Sequence, residues 1–235
     1  MTTHYQQQKR FMSLFEQPVH RNEAGAELYV RLVNEEYGEL LKAWDDATNK
    51  IGTPAFNPEA AITETVDGIT DSLVVLNGLL VSLGVDGDEL WKYMNPPGDG
   101  TLYQQVSVIS GEPIMLNGMR AHDCLERIGV WMGRINSVWE KLEGHVEDEA
   151  ADAAIRVISS ATIQAIANLA DMMNALGVNG QDCWDEVYAS NMSKLCPDSG
   201  KPIFREDGKI LKGSAFRKPD LLSIIQRDLG GEDDV

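Results

Sequence analysis

Cysteine is scarce. Cys124, Cys183 and Cys196 are the only three, with neither C-x-x-C spacing nor the even count of a disulfide framework, so a stapled extracellular scaffold is excluded and a reducing compartment fits. Histidine is nearly as rare, at four residues. His122-Asp123 hints at an HD phosphohydrolase, but no second histidine-containing metal motif accompanies it. Positive charge is short as well: 20 Lys and Arg face 37 Asp and Glu, a formal net charge of -17, which argues against a general affinity for the phosphate backbone of nucleic acid. Long oily runs are missing too. The longest, Leu73 to Leu83, is too short to span a bilayer, and the opening MTTHYQQQKR has no apolar signal segment. These absences together predict a soluble, cytoplasmic protein with neither a membrane nor a nucleic-acid partner.

Strand signals are also few. Gln105 to Ser110 is the only alternating run, and it reads as part of a connection. Helical periodicity dominates instead. After a short amphipathic arm ending near Pro18, Leu28, Leu32, Leu40 and Ala43 recur at helical spacing from about Ala24 to Trp44, and the stretch from Thr48 to Pro58 breaks the pattern. Ile62, Val66, Ile69, Leu73, Leu76, Leu80 and Leu83 then alternate steps of four and three up to Gly84. A shorter helix is predicted around Asp88 to Met94, two long ones over Met119 to Leu142 and Ala150 to Leu176, and another over Asp182 to Met192. The fold class this predicts is all-α.

Two segments echo each other. LGVDGDELW, ending at Trp91, and LGVNGQDCW, ending at Trp184, each follow a long apolar helix, which suggests a tandem duplication. The competing explanation is two unrelated connections that use the same cap chemistry. Aligned on the echo, Glu64, Asp67 and Asp71 correspond to Val157, Ser160 and Gln164, so the second copy is degenerate. The expected organisation is a helical half with an acidic site at 1–100, a degenerate second half at 101–192, and a basic tail at 193–235 that closes the site.

The acids carry the functional signal. Glu35, Glu36 and Glu39 lie on one predicted helix, and Glu64, Asp67 and Asp71 form a ladder of about two turns on the next. Acids at such spacings are often just the solvated side of an amphipathic helix. Here, however, Glu36 falls within the apolar line of Leu32 and Leu40, and the second ladder continues into Val74, Gly78 and Val81, so both clusters point at packed surfaces. Carboxylates crowded in a partly dry bundle repel and take up protons unless a cation neutralises them. A purely oxygen donor set selects magnesium, with manganese as an alternative, and magnesium favours a phosphate-bearing substrate such as a nucleoside polyphosphate.

The arrangement Glu36-x-x-Glu39 followed by Glu64-x-x-Asp67 resembles the E-x-x-E and E-x-x-D signature of the all-α nucleoside triphosphate pyrophosphatases, the MazG-like and phosphoribosyl-ATP pyrophosphatase-like enzymes. Glu35 and Asp71 extend it as in phage-type members, and SNMSKLCPDSGKPIFREDGKILKGSAFRKPDL looks very like their C-terminal segment. The resemblance covers residues 10 to 95 and 176 to 222. It implies hydrolysis of a (deoxy)nucleoside triphosphate to the monophosphate and pyrophosphate, with metal held by Glu36, Glu39, Glu64 and Asp67. Glu35 or Asp71 would act on the water. Asn191 and Lys194 would contact substrate, with Arg205 and Lys212 as helpers. A usual member passes directly from the acid-bearing helices to the tail, whereas here a degenerate copy intervenes. One chain would then mimic a dimer, with further homo-oligomerisation left open, and a phage-encoded protein would work in the host cytoplasm.

Two other readings belong to different classes. One is a non-catalytic helical binding module whose acids are surface charge. The other is an acidic interaction protein that mimics DNA, a role suggested by the net charge. Phe11, Phe15, Tyr37 and Trp44 are the aromatics available to stack on a base, though a side chain of this kind is more often plain core.

Overall fold

The computed structural model describes residues 2–94, 114–142, 145–204 and 210–229, the side chains of 114–117 excepted. The chain is all-α, and among the described residues the only β pairing is an isolated bridge between Phe204 and Ile210. The strand-like run Gln105 to Ser110 lies outside the described residues.

Helix starts are set by short polar side chains. Thr3 accepts from the Gln6 amide to begin α1 (His4–Leu14), and Asn22 accepts from Gly25 at 2.8 Å to begin α2 (Glu23–Lys50). Asn57 caps α3 (Pro58–Ser82), where Pro58 occupies the first turn, which needs no amide donor. α2 therefore runs well past the Trp44 limit suggested by its apolar spacing. Its last turn is exposed and polar, and apolar periodicity carries no information there.

α3 ends on Gly84 at φ 70°, with the Gly84 amide on the Val81 carbonyl and the Val85 amide on the Leu80 carbonyl. Asp86 then accepts from the amides of Asp88 and Glu89 to start α4 (Gly87–Met94). The same sequence of events recurs later. After α5 (Ile114–Leu142) and α6 (Asp152–Ala175), Gly177 at φ 75° bonds the Asn174 carbonyl and Val178 bonds Met173. Asn179 accepts from Gln181 and Asp182 to start α7 (Gly180–Met192). The LGV echo is thus two copies of one device, a left-handed glycine stop followed by an Asx start.

Packing organises these helices as two pairs, α2 with α3 and α5 with α6, and the inner helices α3 and α6 meet at the centre. Both inner helices are long and apolar enough to cross a membrane by length and composition, but most of each is buried inside the protein, as a core helix must be. Most of their buried polar residues turn back on their own helix: Thr70 donates to the Val66 carbonyl, Asn77 to Leu73, Thr162 to Ile158 and Asn168 to Gln164. One hydrophobic cluster runs through both pairs, from Phe15, Leu40 and Leu76 to Ile135, Leu169 and Trp184.

α1 ties the end of α3 to α7. Tyr5 donates to the Val85 carbonyl at 2.9 Å, His4 stacks on Trp184 with ring centroids 4.1 Å apart, and the Trp184 indole donates to Gln7. The tail adds α8 (Leu221–Leu229), which the sequence reading missed. Its signal was present in Asp220, whose carboxylate accepts from Ser223, followed by Leu221 and Ile225 one turn apart, both buried.

Candidate active site

The acids of α2 and α3 flank the closest approach of the two helices. Gly25 lies opposite Ser82, Tyr29 packs on Gly78, and Leu40 on Gly68, an antiparallel register that brings Glu36 level with Asp71 and Glu39 level with Asp67. Two glycines permit this. A methyl at Gly68 would stand 3.0 Å from the Leu40 Cα, and one at Gly78 would stand 1.9 Å from the Tyr29 ring. Leu40, Val66, Ile69 and Leu73, interspersed among the acids on the same two helices, are buried in the core.

Electrostatics records the crowding. Burial, then the charges of Asp71, Glu39, Glu35 and Asp67, push the Glu36 carboxyl up to about 7. Asp71 is also pushed up to about 7 by burial and by Asp67 and Glu39, against a counter-pull from the Lys194 ammonium. Asp67 is raised by burial, Glu64 and Glu39, and partly relieved by Lys218. All six acids singled out from the sequence therefore belong to one electrostatic group. Glu36, Asp67 and Asp71 are half-buried, with Glu35, Glu39 and Glu64 on the exposed rim. Among the described residues no group of three or more His, Cys, Asp or Glu side chains is placed so as to hold a metal ion.

The tail supplies the facing cations. Lys194, just beyond α7, donates from its Nζ to Asn191 Oδ1 at 2.6 Å and faces Asp71. Lys218, within the basic tail, faces Asp67, and nothing local in the sequence marks it as a site residue. Its place follows from its neighbour. The Arg217 amide donates to the Ser193 hydroxyl at 3.0 Å, its carbonyl accepts from Ser190 at 2.8 Å, and its guanidinium grips Glu186. That ion pair holds the Glu186 carboxyl below the usual range.

Other expectations separate from the site. The Lys212 ammonium sits 4.6 Å from the Phe216 ring centroid, and Arg205 lies outside the described residues. Phe11 and Phe15 are buried against each other, Trp44 is buried with its ring 6.4 Å from His122, and Tyr37 is half-buried with its hydroxyl beside Gly129. The first three are core. His122 is exposed and pairs only loosely with Glu126 at 3.6 Å, an i to i+4 contact on its own helix.

The donor chemistry of the cluster suits a hard divalent ion. Every acid is an oxygen ligand, and the raised Glu36 and Asp71 show more carboxylate than the local lysines neutralise. No protein family, curated protein or solved structure matches the chain.

Proposed function

We propose that the α2–α3 cluster is the reaction centre of a magnesium-dependent nucleotide pyrophosphohydrolase, cleaving a (deoxy)nucleoside triphosphate to the monophosphate and pyrophosphate. The observation that carries this reading is the convergence of six acids at the crossing of two helices, with Glu36 and Asp71 holding protons up to about pH 7, Lys194 facing Asp71 and Lys218 facing Asp67. Glu36, Glu39, Glu64 and Asp67 would hold the ion, with rim glutamates turning inward at an ordering cost of about 1.5–2 kcal/mol each that ion binding would have to offset. The ion, when bound, neutralises phosphate oxygens and makes water more acidic.

The rest falls to the chain itself. Lys194, steadied by Asn191, is within reach of a phosphate group lying over Asp71, and Lys218 offers a second ammonium beside Asp67. Asp71 changes protonation near neutral pH, which suits a group that takes a proton from the attacking water; Glu35, on the rim, is the other candidate. Water adds to the α-phosphorus, the bond to the oxygen bridging the α- and β-phosphates breaks, and pyrophosphate leaves with that oxygen. The resemblance to MazG-like enzymes of phage type supports the same reaction, in a cytoplasmic setting where it would adjust a nucleotide pool. In this reading the second pair, α5 with α6, is a degenerate tandem copy that takes the place of a dimer partner.

Pyrophosphate release from all common NTPs and dNTPs, followed by a malachite-green assay coupled to inorganic pyrophosphatase, tests the proposal. Glu39→Ala and Asp67→Ala should abolish release while leaving the helical circular dichroism unchanged. Retained activity in either variant would refute the site. A non-catalytic module would show no magnesium-dependent thermal shift.

A further inference from the structure

The second helix pair carries a groove where the first carries acids. It has a volume of about 450 Å³ and is lined by Trp131 and Arg134 of α5, by Arg156, Val157, Ser160 and Gln164 of α6, and by Met94 at the end of α4. Val157, Ser160 and Gln164 are the residues that the LGV echo aligns with Glu64, Asp67 and Asp71. The corresponding face has therefore exchanged carboxylates for an aromatic wall and two guanidinium groups.

The charges in this groove are uncommitted. Neither Arg134 nor Arg156 makes an ion pair or hydrogen bond among the described residues, and both are exposed. Asp152, one turn before Arg156 and its natural helical partner, is instead held by Arg21 at 2.7 Å. In a chain of net charge -17, two unpaired arginines beside one groove favour an anion. The same groove is lined by the half-buried Trp131, with Met94 and Val157 adding apolar surface. An indole face takes a planar ring by stacking, and the volume falls within the range of small-molecule sites, roughly 300–1,000 Å³.

We infer that this groove is a second, non-hydrolytic site for a nucleoside phosphate, with the base against Trp131 and the phosphate held by Arg134 and Arg156. Among the described residues no carboxylate lines it, so the ion-assisted chemistry proposed for the α2–α3 cluster has no counterpart among them. It binds without turning over, as an effector site does. The inference stands independently of what the acid cluster catalyses.

Equilibrium dialysis of the full chain against the common ribo- and deoxynucleoside 5′-monophosphates, in EDTA, tests it. Saturable binding of one equivalent is expected for at least one base. Arg134→Ala combined with Arg156→Ala should weaken it roughly ten-fold or more, and Val157→Glu, which puts an acid where α3 has Glu64, should do the same. Asp67→Asn should leave it unchanged. Absence of saturable binding to the wild type overturns the inference, as does binding that survives both groove variants. Binding lost only in Asp67→Asn would assign it to the acid cluster instead.

Discussion

Gly68 lies against Leu40 at the crossing of α2 and α3, so that a methyl in place of its hydrogen would come within 3.0 Å of the Leu40 Cα. Glu39 and Asp67 are the immediate chain neighbours of that contact, and the spacing of the acids is therefore set by a glycine that carries no chemistry itself.

Gly68→Ala should push α2 outward by a few tenths of an ångström. Better helix propensity offsets part of the packing cost, so stability should change by less than about 2 kcal/mol. Activity should fall further, roughly ten-fold, because charged groups around a reacting centre tolerate little displacement. Gly38 and Gly78 are the controls. A methyl at Gly38 meets nothing within 4 Å, so Gly38→Ala should stabilise by about 0.5–1 kcal/mol in urea unfolding. At Gly78 it would collide with the Tyr29 ring, and a loss on the order of 3 kcal/mol or more is expected.

Asp71 and Glu36 predict an opposition between stability and ion binding. Both carboxyls are raised to about 7 from 3.8 and 4.5, so between those limits the folded chain holds protons that the unfolded chain has released. Their contribution to stability is present below the unfolded values and lost as pH rises through about 7. In EDTA at pH 8, Asp71→Asn should therefore be more stable than wild type, by roughly 2 kcal/mol after allowance for solvent screening. Magnesium should raise the wild-type Tm more at pH 8 than at pH 6, because protons compete with the ion, and much less in the variant. Equal shifts at both pH values would count against an ion site.

His4 has the opposite sign. Burial on the Trp184 face lowers its pKa from 6.5 to about 4, against a smaller raising effect of the Gln181 hydrogen bond. Its contribution is complete above 6.5 and is lost as pH falls through about 4, since the unfolded chain takes up the proton first. His4→Phe keeps a ring on Trp184 and removes the titration. The stability difference between wild type and this variant should shift by on the order of 3 kcal/mol across that window, read from urea midpoints at pH 7 and pH 4.

Arg217 should matter for the site through the tail it anchors. Arg217→Ala removes the grip on Glu186, while the Ser190 and Ser193 bonds to its backbone remain available. As an exposed ion pair it should cost at most about 1 kcal/mol of stability. The expected effect is on KM, raised several-fold as Lys218 loses its fixed position opposite Asp67, with earlier proteolytic cleavage in the tail. Unchanged KM would separate Lys218 from substrate.

The acids were legible early because their helical spacing and apolar neighbours are local facts. Glu36 within the line of Leu32 and Leu40 already indicated a half-buried carboxylate, and it is half-buried in the fold. The echo was legible for the same reason, since each copy is a local cap motif with its own glycine and Asx residue. Lys218 was not, because it is placed by Arg217 holding Glu186, a contact across 31 positions of chain. α8 was missed because nine residues with few periodic positions carry little signal until Leu221 and Ile225 meet α3 and its neighbours.

Sequence alone determined that the chain is helical, where most helices stop, and which residues bring acid to two of them, since periodicity, glycine and capping chemistry act within a few residues. Tertiary structure decided who faces whom. The depth of contact at Gly68 and Gly78 sets the register that groups Glu36 with Asp71, and the packing of α5 on α6 opens a groove lined by Trp131 and Arg134. Those outcomes depend on the distance between two surfaces distant in sequence, a quantity that no local pattern encodes.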